Sequence, residues 1–163
     1  MSCTVGLMSG TSFDGVDAVI FDSSSKTLIK SCFIAYSETF KAELNQISNT
    51  EFLSFDILAR LNSQLTNYYI EATKKLLIYL PYNRSIDAIG AHGQTICHAP
   101  ENPVAPFTHQ LINGSLLATS LNLPVICDFR SNDIALGGQG APLAPVFHEF
   151  LFNLDQNSVV INL

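Results

Sequence analysis

Charged side chains are scarce in this chain of 163 residues. They make up 13% of the sequence, about half of the usual share in globular proteins. Eight residues are Lys or Arg and 14 are Asp or Glu, for a net charge of -6, and the basic residues form no cluster. The sequence therefore argues against a nucleic-acid interface and against attraction to an anionic membrane. Because 47% of the residues are apolar, it predicts buried strands, an extensive interface, or both.

Paired cysteines, a secretory leader and a long apolar run are also missing. The four cysteines (Cys3, Cys32, Cys97 and Cys127) form no CxxC pair, and each lies in or beside an apolar stretch. We interpret them as buried thiols of a cytosolic protein, with disulfides as the less favoured alternative. No leader pattern or bilayer-length apolar run occurs. We therefore expect a cytoplasmic protein outside the membrane.

Three common catalytic or nucleotide-binding motifs are absent. The sequence has neither a Walker A lysine motif nor a GxGxxG fingerprint. It also lacks GxSxG, the nucleophile elbow of serine hydrolases. A nucleotide that binds to this chain must therefore be held by another scheme.

What the sequence does contain is a short polar turn between two apolar runs near its start. Residues 3–8 and 16–22 are typical of a β-hairpin, joined by Ser9-Gly-Thr-Ser-Phe-Asp-Gly15. Gly10 and Gly15 are expected to permit positive φ and the close approach of a ligand to the backbone.

The polar groups of this turn suit a metal-bound phosphate. Thr11 and Ser12 supply hydroxyl groups, and consecutive peptide N–H groups can converge on an anion. Asp14 and Asp17 can hold Mg²⁺, directly or through its waters, while the metal neutralises phosphate oxygens. The turn indicates a metal–nucleotide phosphate loop, with an ordinary hairpin turn as the alternative, since Gly, Ser, Thr and Asp all favour turns.

The remaining pattern alternates helices with strands and predicts an α/β lobe with a mixed sheet. Apolar residues at three- and four-residue steps predict an amphipathic helix over residues 52–80, ended by Pro81. The other predicted elements are a strand over 28–36, a short helix over 41–49, buried strands over 86–91 and 123–129, a turn at Asn113-Gly114 with a short helix to Leu121, a loop over 130–140, a helix over 142–154 and a strand over 157–163.

Polar, glycine-bearing loops are expected after the strands that end at residues 8, 91 and 129. Ligands of open α/β sheets bind at the carboxyl ends of strands, so these loops are expected to share one cleft. His92 and Gln94 would either read sugar hydroxyls or satisfy loop peptides. The spacing of His92 and His98 is not typical of zinc sites.

Arg130 stands between Asp128 and Asp133 after the last of these strands. Two carboxylates around a guanidinium can hold a hydroxyl-rich ligand or form a structural ion pair. The glycine-rich segment 137–140 precedes a helix and can bind an anion there or act as a plain hinge. The residues leave both pairs of alternatives open.

Several motifs in order resemble those of anhydro-N-acetylmuramic acid kinases, and the resemblance covers the whole chain. They are Gly6-Leu-Met-Ser-Gly-Thr-Ser-Phe-Asp-Gly-Val-Asp17, His92-Gly-Gln-Thr with His98, Gln110-Leu-Ile-Asn-Gly114, Pro124-Val-Ile-Cys-Asp-Phe-Arg130 with Asp133, and Gly137-Gly-Gln-Gly-Ala-Pro-Leu143. The family belongs to the sugar kinase–actin (ribonuclease H-like) superfamily, in which ATP and sugar lie between two α/β lobes. Its members open the 1,6-anhydro ring with water and phosphorylate O6, giving N-acetylmuramic acid 6-phosphate in peptidoglycan recycling.

The resemblance implies that residues 1–163 are the N-terminal lobe of a kinase that uses ATP and Mg²⁺, without its second lobe. It assigns the ATP phosphates to Gly10, Thr11, Ser12, Phe13, Asp14, Gly15, Val16 and Asp17. It favours Arg130, Asp133, His92 and Gln94 as contacts of the anhydro-sugar.

One family motif has no counterpart in this chain. The aspartate thought to activate water lies in a Gly-Phe-Asp-Thr-Gly-Pro-Gly stretch, which is expected after Leu163. We therefore assign no catalytic residue and no separate metal ligands here, and we expect the segment alone to be inactive. The alternative function is a non-catalytic lobe that binds a partner or forms a homodimer through an unpaired sheet edge.

Overall fold

The computed structural model describes residues 2–48, 50, 52–152, 159 and 161. They form an α/β fold with a mixed sheet, as the sequence predicts. In chain order the elements are β1 Ser2–Ser9, β2 Gly15–Asp22, β3 Thr27–Ala35, α1 Glu38–Ser48, α2 Phe55–Leu77, β4 Ser85–Ala99, β5 Phe107–Leu111, α3 Gly114–Leu121, β6 Val125–Ile126, α4 Phe129–Ala135 and α5 Ala144–Phe152.

The six strands of the described chain share one sheet. Its order is β3-β2-β1-β4, and β4 then pairs with β6 in its first half and with β5 in its second. β1 and β6 run parallel to β4, whereas the other pairs are antiparallel. The carboxyl ends of β1 and β6 therefore point to the same edge, where the segments that follow them begin.

The two faces of the sheet are unequal. On β2, Val16, Ala18 and Ile20 are buried, as expected for alternate residues of a half-covered strand. This closed face packs against α2, whose fully buried residues include Leu61, Leu65, Tyr69, Ala72 and Leu76. Asp17, Val19 and Phe21 alternate with the buried set and belong to the opposite, open face.

Helix α5 lies against the open face without being buried in it. The Phe147 ring meets the Phe21 ring edge-on, at a centroid distance of 5.6 Å. No residue of α5 is buried, so it covers this face far less completely than α2 covers the other.

Strand β4 is longer than the predicted strand over 86–91. It continues to Ala99 and pairs there with β5, which the sequence did not predict. Gly93 has a φ of 80°, and the pairing of β4 with β1 shifts register near it. A glycine bulge thus bends the strand without ending it. The expectation of a loop after residue 91 is wrong, and His92 and Gln94 lie on a strand.

The segment after β6 also differs from the prediction. The predicted strand over 123–129 keeps only two residues in the sheet, and the predicted loop over 130–140 begins with α4. Asp128 has a left-handed φ of 58°, which turns the chain out of the strand and into the helix. Residues 153–154 of the predicted last helix fall outside the described residues, as does most of the predicted strand over 157–163.

The cysteines and helices bear on two further predictions. All four cysteines are free, and Cys3 is buried as expected. Cys97 is exposed, because β1 ends beside Gln94 and, among the described strands, only β5 pairs with β4 beyond that point. Within the described residues, no helix has the length and apolar character that a bilayer crossing requires.

Candidate functional site

The candidate phosphate loop, residues 10–14, joins β1 to β2 and is held from inside the protein. The Gly10 carbonyl accepts hydrogen bonds from the Phe13 amide at 3.3 Å and from Gln94 Nε2 at 2.9 Å. Phe13 has a left-handed φ of 54°, and its side chain joins the hydrophobic core. The loop backbone is therefore tied to the interior at its start and at its turn.

The outer side of the phosphate loop carries free donors and carboxylates. Thr11 and Ser12 are exposed, and their amides donate to no protein group within the described residues. Asp14 of the loop and Asp17, three residues farther along in β2, are also exposed. This set of N–H groups and carboxylates is what a nest for a metal-bound phosphate requires. Phosphate binding here remains a prediction.

Gly10 of the loop and Gly15 at the start of β2 do not have the expected conformation. Neither Gly10 nor Gly15 has a positive φ; in this turn Phe13 does. A Cβ on Gly15 would overlap the backbone of β3 and approach the Phe33 ring to 2.6 Å. A Cβ on Gly10 would meet only Ser12 Oγ, at 3.6 Å. Gly15 is thus required by strand packing, whereas Gly10 borders open space.

Among the residues predicted to contact the sugar, His92 and Arg130 bind each other. Arg130 Nε donates to His92 Nε2 at 2.8 Å, and Arg130 Nη1 donates to the Gly140 carbonyl at 2.6 Å. His92 Nδ1 lies 2.8 Å from the Gly93 carbonyl, which can only accept, so Nδ1 carries the proton. Burial, and secondarily the charge of Arg130, lowers the pKa of His92. His92 is therefore a neutral acceptor that orients Arg130.

Asp133 organises the segment between α4 and α5. Its Oδ2 accepts from the Gly140 amide at 2.6 Å, and its carbonyl accepts from the Gly138 amide at 2.8 Å. A Cβ on Gly138 would lie 2.6 Å from Asp133 Cγ, so the glycine lets the backbone wrap around the carboxylate. Within the described residues, no ion pair joins Arg130 to Asp128 or Asp133. The structural ion-pair alternative is therefore wrong, and Gly140 links Arg130 to Asp133 instead.

Gln94 lies apart from this cluster. Its side chain is 0% exposed and contacts the phosphate loop through Gly10. A direct contact with the sugar remains a prediction, which this burial does not favour.

Beneath the phosphate loop lies a group of buried hydroxyls that sequence reasoning missed. Tyr36 Oη donates to Ser9 Oγ at 2.7 Å, and Ser9 Oγ lies 2.9 Å from Tyr69 Oη. The Tyr36 amide donates to the Asp14 carbonyl at 2.9 Å. Burial raises the pKa of Tyr69 to about 12 and also raises that of Tyr36, so both phenols stay protonated. Tyr69 falls in the apolar stripe of its helix, and no sequence signal marks either tyrosine.

One cavity of about 640 Å³ lies between the hairpin and the segments on either side of Arg130 and Asp133. Its lining includes Met8 and Asp17 from the hairpin, and Phe129 and Leu143 from the segments on either side of Arg130 and Asp133. The described lining includes no residue of the phosphate loop and none of His92, Arg130 and Asp133, so the cleft shared by the segments after residues 8, 91 and 129 stays a prediction.

The residues of the loop fit Mg²⁺ that arrives with a nucleotide. Within the described residues, no three His, Cys, Asp or Glu side chains come together as a metal centre. Mg²⁺ commonly uses one or two carboxylates together with phosphate oxygens and waters. Asp14 and Asp17 can supply the carboxylates, and the exposed loop leaves room for the remaining ligands.

Comparison with known proteins decides the family. A family model described as anhydro-N-acetylmuramic acid kinase matches residues 2–163. The chain belongs to this family. The mixed α/β fold is consistent with a lobe of the sugar kinase–actin type.

Curated relatives with that name match nearly all of the chain. The proteins of Nitrosomonas europaea, Legionella pneumophila (strain Lens) and Aliivibrio fischeri are 42%, 36% and 39% identical to it, over 98%, 99% and 96% of its length. The match covers 45%, 44% and 43% of those proteins. The chain thus spans less than half the length of these relatives and corresponds to their N-terminal part.

Proposed function

We propose that this chain forms the N-terminal lobe of a two-lobe, ATP-dependent kinase of cytoplasmic peptidoglycan recycling. The reaction converts 1,6-anhydro-N-acetylmuramic acid to N-acetylmuramic acid 6-phosphate, with hydrolysis of the anhydro ring. The phosphate loop carries the proposal, because the amides of its exposed residues Thr11 and Ser12 donate to no protein group that the structure describes, while its inner side is fixed. Membership of the family supports the choice of sugar and of ATP as phosphoryl donor.

The loop would bind the phosphates of ATP. Phosphoryl transfer depends on positioning and charge neutralisation more than on covalent catalysis. The amides of Thr11 and Ser12 would donate to phosphate oxygens, and Asp14 and Asp17 would hold Mg²⁺ or its waters. When bound, Mg²⁺ supplies positive charge next to the transferred group.

Arg130 would bind the sugar substrate. Its Nε and Nη1 contacts to His92 and Gly140 fix the guanidinium plane. Its Nη2 donates to no group of the described residues, so the N–H groups of Nη2 would be available to a ligand. The lactyl carboxylate of N-acetylmuramic acid is a natural partner for a guanidinium held in this way. Asp133, held by the same segment, would accept from a sugar hydroxyl.

Binding and turnover test the proposal separately. In isothermal titration calorimetry, the chain should bind Mg·ATP, and Asp17→Asn should weaken that binding. The control Asp56→Asn changes an exposed carboxylate at the start of α2 and should leave binding unchanged. With the anhydro-sugar added, the chain alone should form no phosphorylated product, because the water-activating aspartate is expected beyond Leu163. Product formation would contradict the need for a second lobe. Equal binding by both variants would contradict the assignment of Asp17 to the nucleotide site.

A non-catalytic lobe that self-associates is the second candidate. The observation in its favour is the exposure of Phe147, Phe150 and Phe152 on α5, a helix with no buried residue. Sedimentation equilibrium over a range of concentrations would detect a dimer. A monomer at all concentrations would count against this candidate.

A further inference from the structure

Gln94 is a buried side chain with one satisfied end and one unsatisfied end. Its Nε2 donates to the Gly10 carbonyl at 2.9 Å. Its Oε1 is buried and has no hydrogen-bond partner within the described residues. Because a carbonyl only accepts, the Gly10 contact requires the nitrogen on that side and leaves the oxygen unpaired.

An unpaired buried acceptor costs free energy, so Gln94 is a poor choice for stability alone. A leucine has a similar volume and would avoid the unpaired oxygen. What a leucine cannot provide is the donor to Gly10. The hydrogen bond from Nε2 to Gly10 is therefore the feature that explains a glutamine at this position, despite the cost of the unpaired Oε1.

The hydrogen bond from Gln94 to Gly10 holds the phosphate loop at the point where the loop begins. Gly10 is the first residue after β1, and the turn that it begins closes through the Phe13 amide. Tyr36 holds the flanks of the loop, with its hydroxyl on Ser9 and its amide on the Asp14 carbonyl. Between these anchors, the Thr11 and Ser12 amides donate to no protein group of the described residues.

We infer that Gln94 is a positioning residue of the phosphate loop, which fixes the Gly10 carbonyl and thereby presets the direction of the Thr11 and Ser12 amides. The nature of the ligand, the phosphates of Mg·ATP, rests on the proposed function. The ordering of the loop is independent of it. We therefore reassign Gln94 from the predicted sugar contacts to the support of the phosphate loop.

The test compares Gln94→Leu with the wild-type chain and with Thr73→Val. Thr73 is an equally buried hydrogen-bonding residue on α2, which donates to the Tyr69 carbonyl at 2.8 Å and not to the loop. Three quantities are measured: the thermal midpoint, the ¹⁵N order parameters well below that midpoint, and the Kd for Mg·ATP. Gln94→Met, with an unbranched side chain, repeats the comparison in case leucine packs badly.

For the Gln94 variants we expect a midpoint equal to or above that of the wild type, because the orphan oxygen is gone. The order parameters of Thr11 and Ser12 should fall below about 0.6 while those of the strands stay near 0.85. The Kd for Mg·ATP should rise up to about tenfold, as expected for one hydrogen bond. Thr73→Val should leave the loop order and the Kd unchanged.

Unchanged loop order in both Gln94 variants would overturn the inference. So would an equal loss of order throughout the chain, which would mean a purely structural role. A wild-type chain that does not bind Mg·ATP would contradict the proposed function instead, since the order parameters are measured without nucleotide.

Discussion

The closed and open faces of the sheet, which share the same strands, differ in burial and in function: one forms the core and the other presents the candidate ligand groups. On the closed face, α2 buries a continuous core and the anchors of the phosphate loop. On the open face, Asp17 lines a cavity beside α5, a helix with no buried residue. Because successive side chains of a strand alternate, one step along β4 separates the buried Ala91 from His92, the partner of Arg130. The candidate ligand groups thus gain their rigidity from the opposite side of the sheet.

Truncating one large apolar side chain on each side of the sheet gives the largest expected difference. Leu65→Ala removes a fully buried side chain of α2 and should lower the unfolding free energy by about 2–5 kcal/mol. Phe147→Ala on α5 should cost about 1 kcal/mol, since 46% of Phe147 is exposed. Urea unfolding measures both. Equal losses would show that the open face is packed as firmly as the closed one.

The next largest difference in stability is expected between Gly10 of the phosphate loop and Gly15 of β2. Gly15→Ala should cost about 1–3 kcal/mol, because its Cβ has no space against β3. Gly10→Ala should stay within about 0.5 kcal/mol of the wild type, yet weaken Mg·ATP binding, since its Cβ would stand where a ligand approaches. Unfolding curves and calorimetry are the measurements. A reversed order of stability losses would contradict the geometry.

Acid should lower the stability of the folded chain by protonating Asp22, which lies on the closed face. Hydrogen bonds from Ser24 and Ser25, and then from Arg84, hold the pKa of its buried carboxyl well below the usual range. The unfolded chain therefore takes up a proton first, so this contribution is present above about pH 4 and is lost as the pH falls further. The thermal midpoint of the wild type should drop steeply below pH 4, and that of Asp22→Asn should be lower at neutral pH but flatter. Parallel curves would refute this.

The smallest effect is expected on the open face, at His92. Because its pKa is lowered in the folded chain, its contribution is present above about pH 6.5 and is lost as the pH falls below that value. Protonation of Nε2 would also break the hydrogen bond from Arg130. The thermal midpoint should fall slightly more between pH 8 and pH 5 for the wild type than for His92→Gln. The glutamine side chain can accept the hydrogen bond from Arg130 but does not titrate. An imidazole that titrates above pH 6.5 by NMR would rule this out.

The sequence predicts the hairpin, the long helix and the α/β class because each depends on a local period. It does not predict that β4 continues through Gly93, because that depends on pairing with β5 and on one positive φ. The sequence also does not predict the partners of Arg130. Two nearby aspartates suggested an ion pair, but a neutral histidine and a peptide carbonyl accept its hydrogen bonds. The burial of Gln94 and the Ser9–Tyr36–Tyr69 hydroxyls are tertiary facts that no motif encodes.

An NMR titration of the ¹⁵N-labelled chain with Mg·ATP tests the phosphate loop most directly. We expect the largest amide shift changes at Thr11 and Ser12, smaller ones through Asp17, and little change along α2. Saturating Mg·ATP that leaves those two amides unmoved, or that shifts another surface of the chain instead, would contradict the assignment of this loop to the nucleotide.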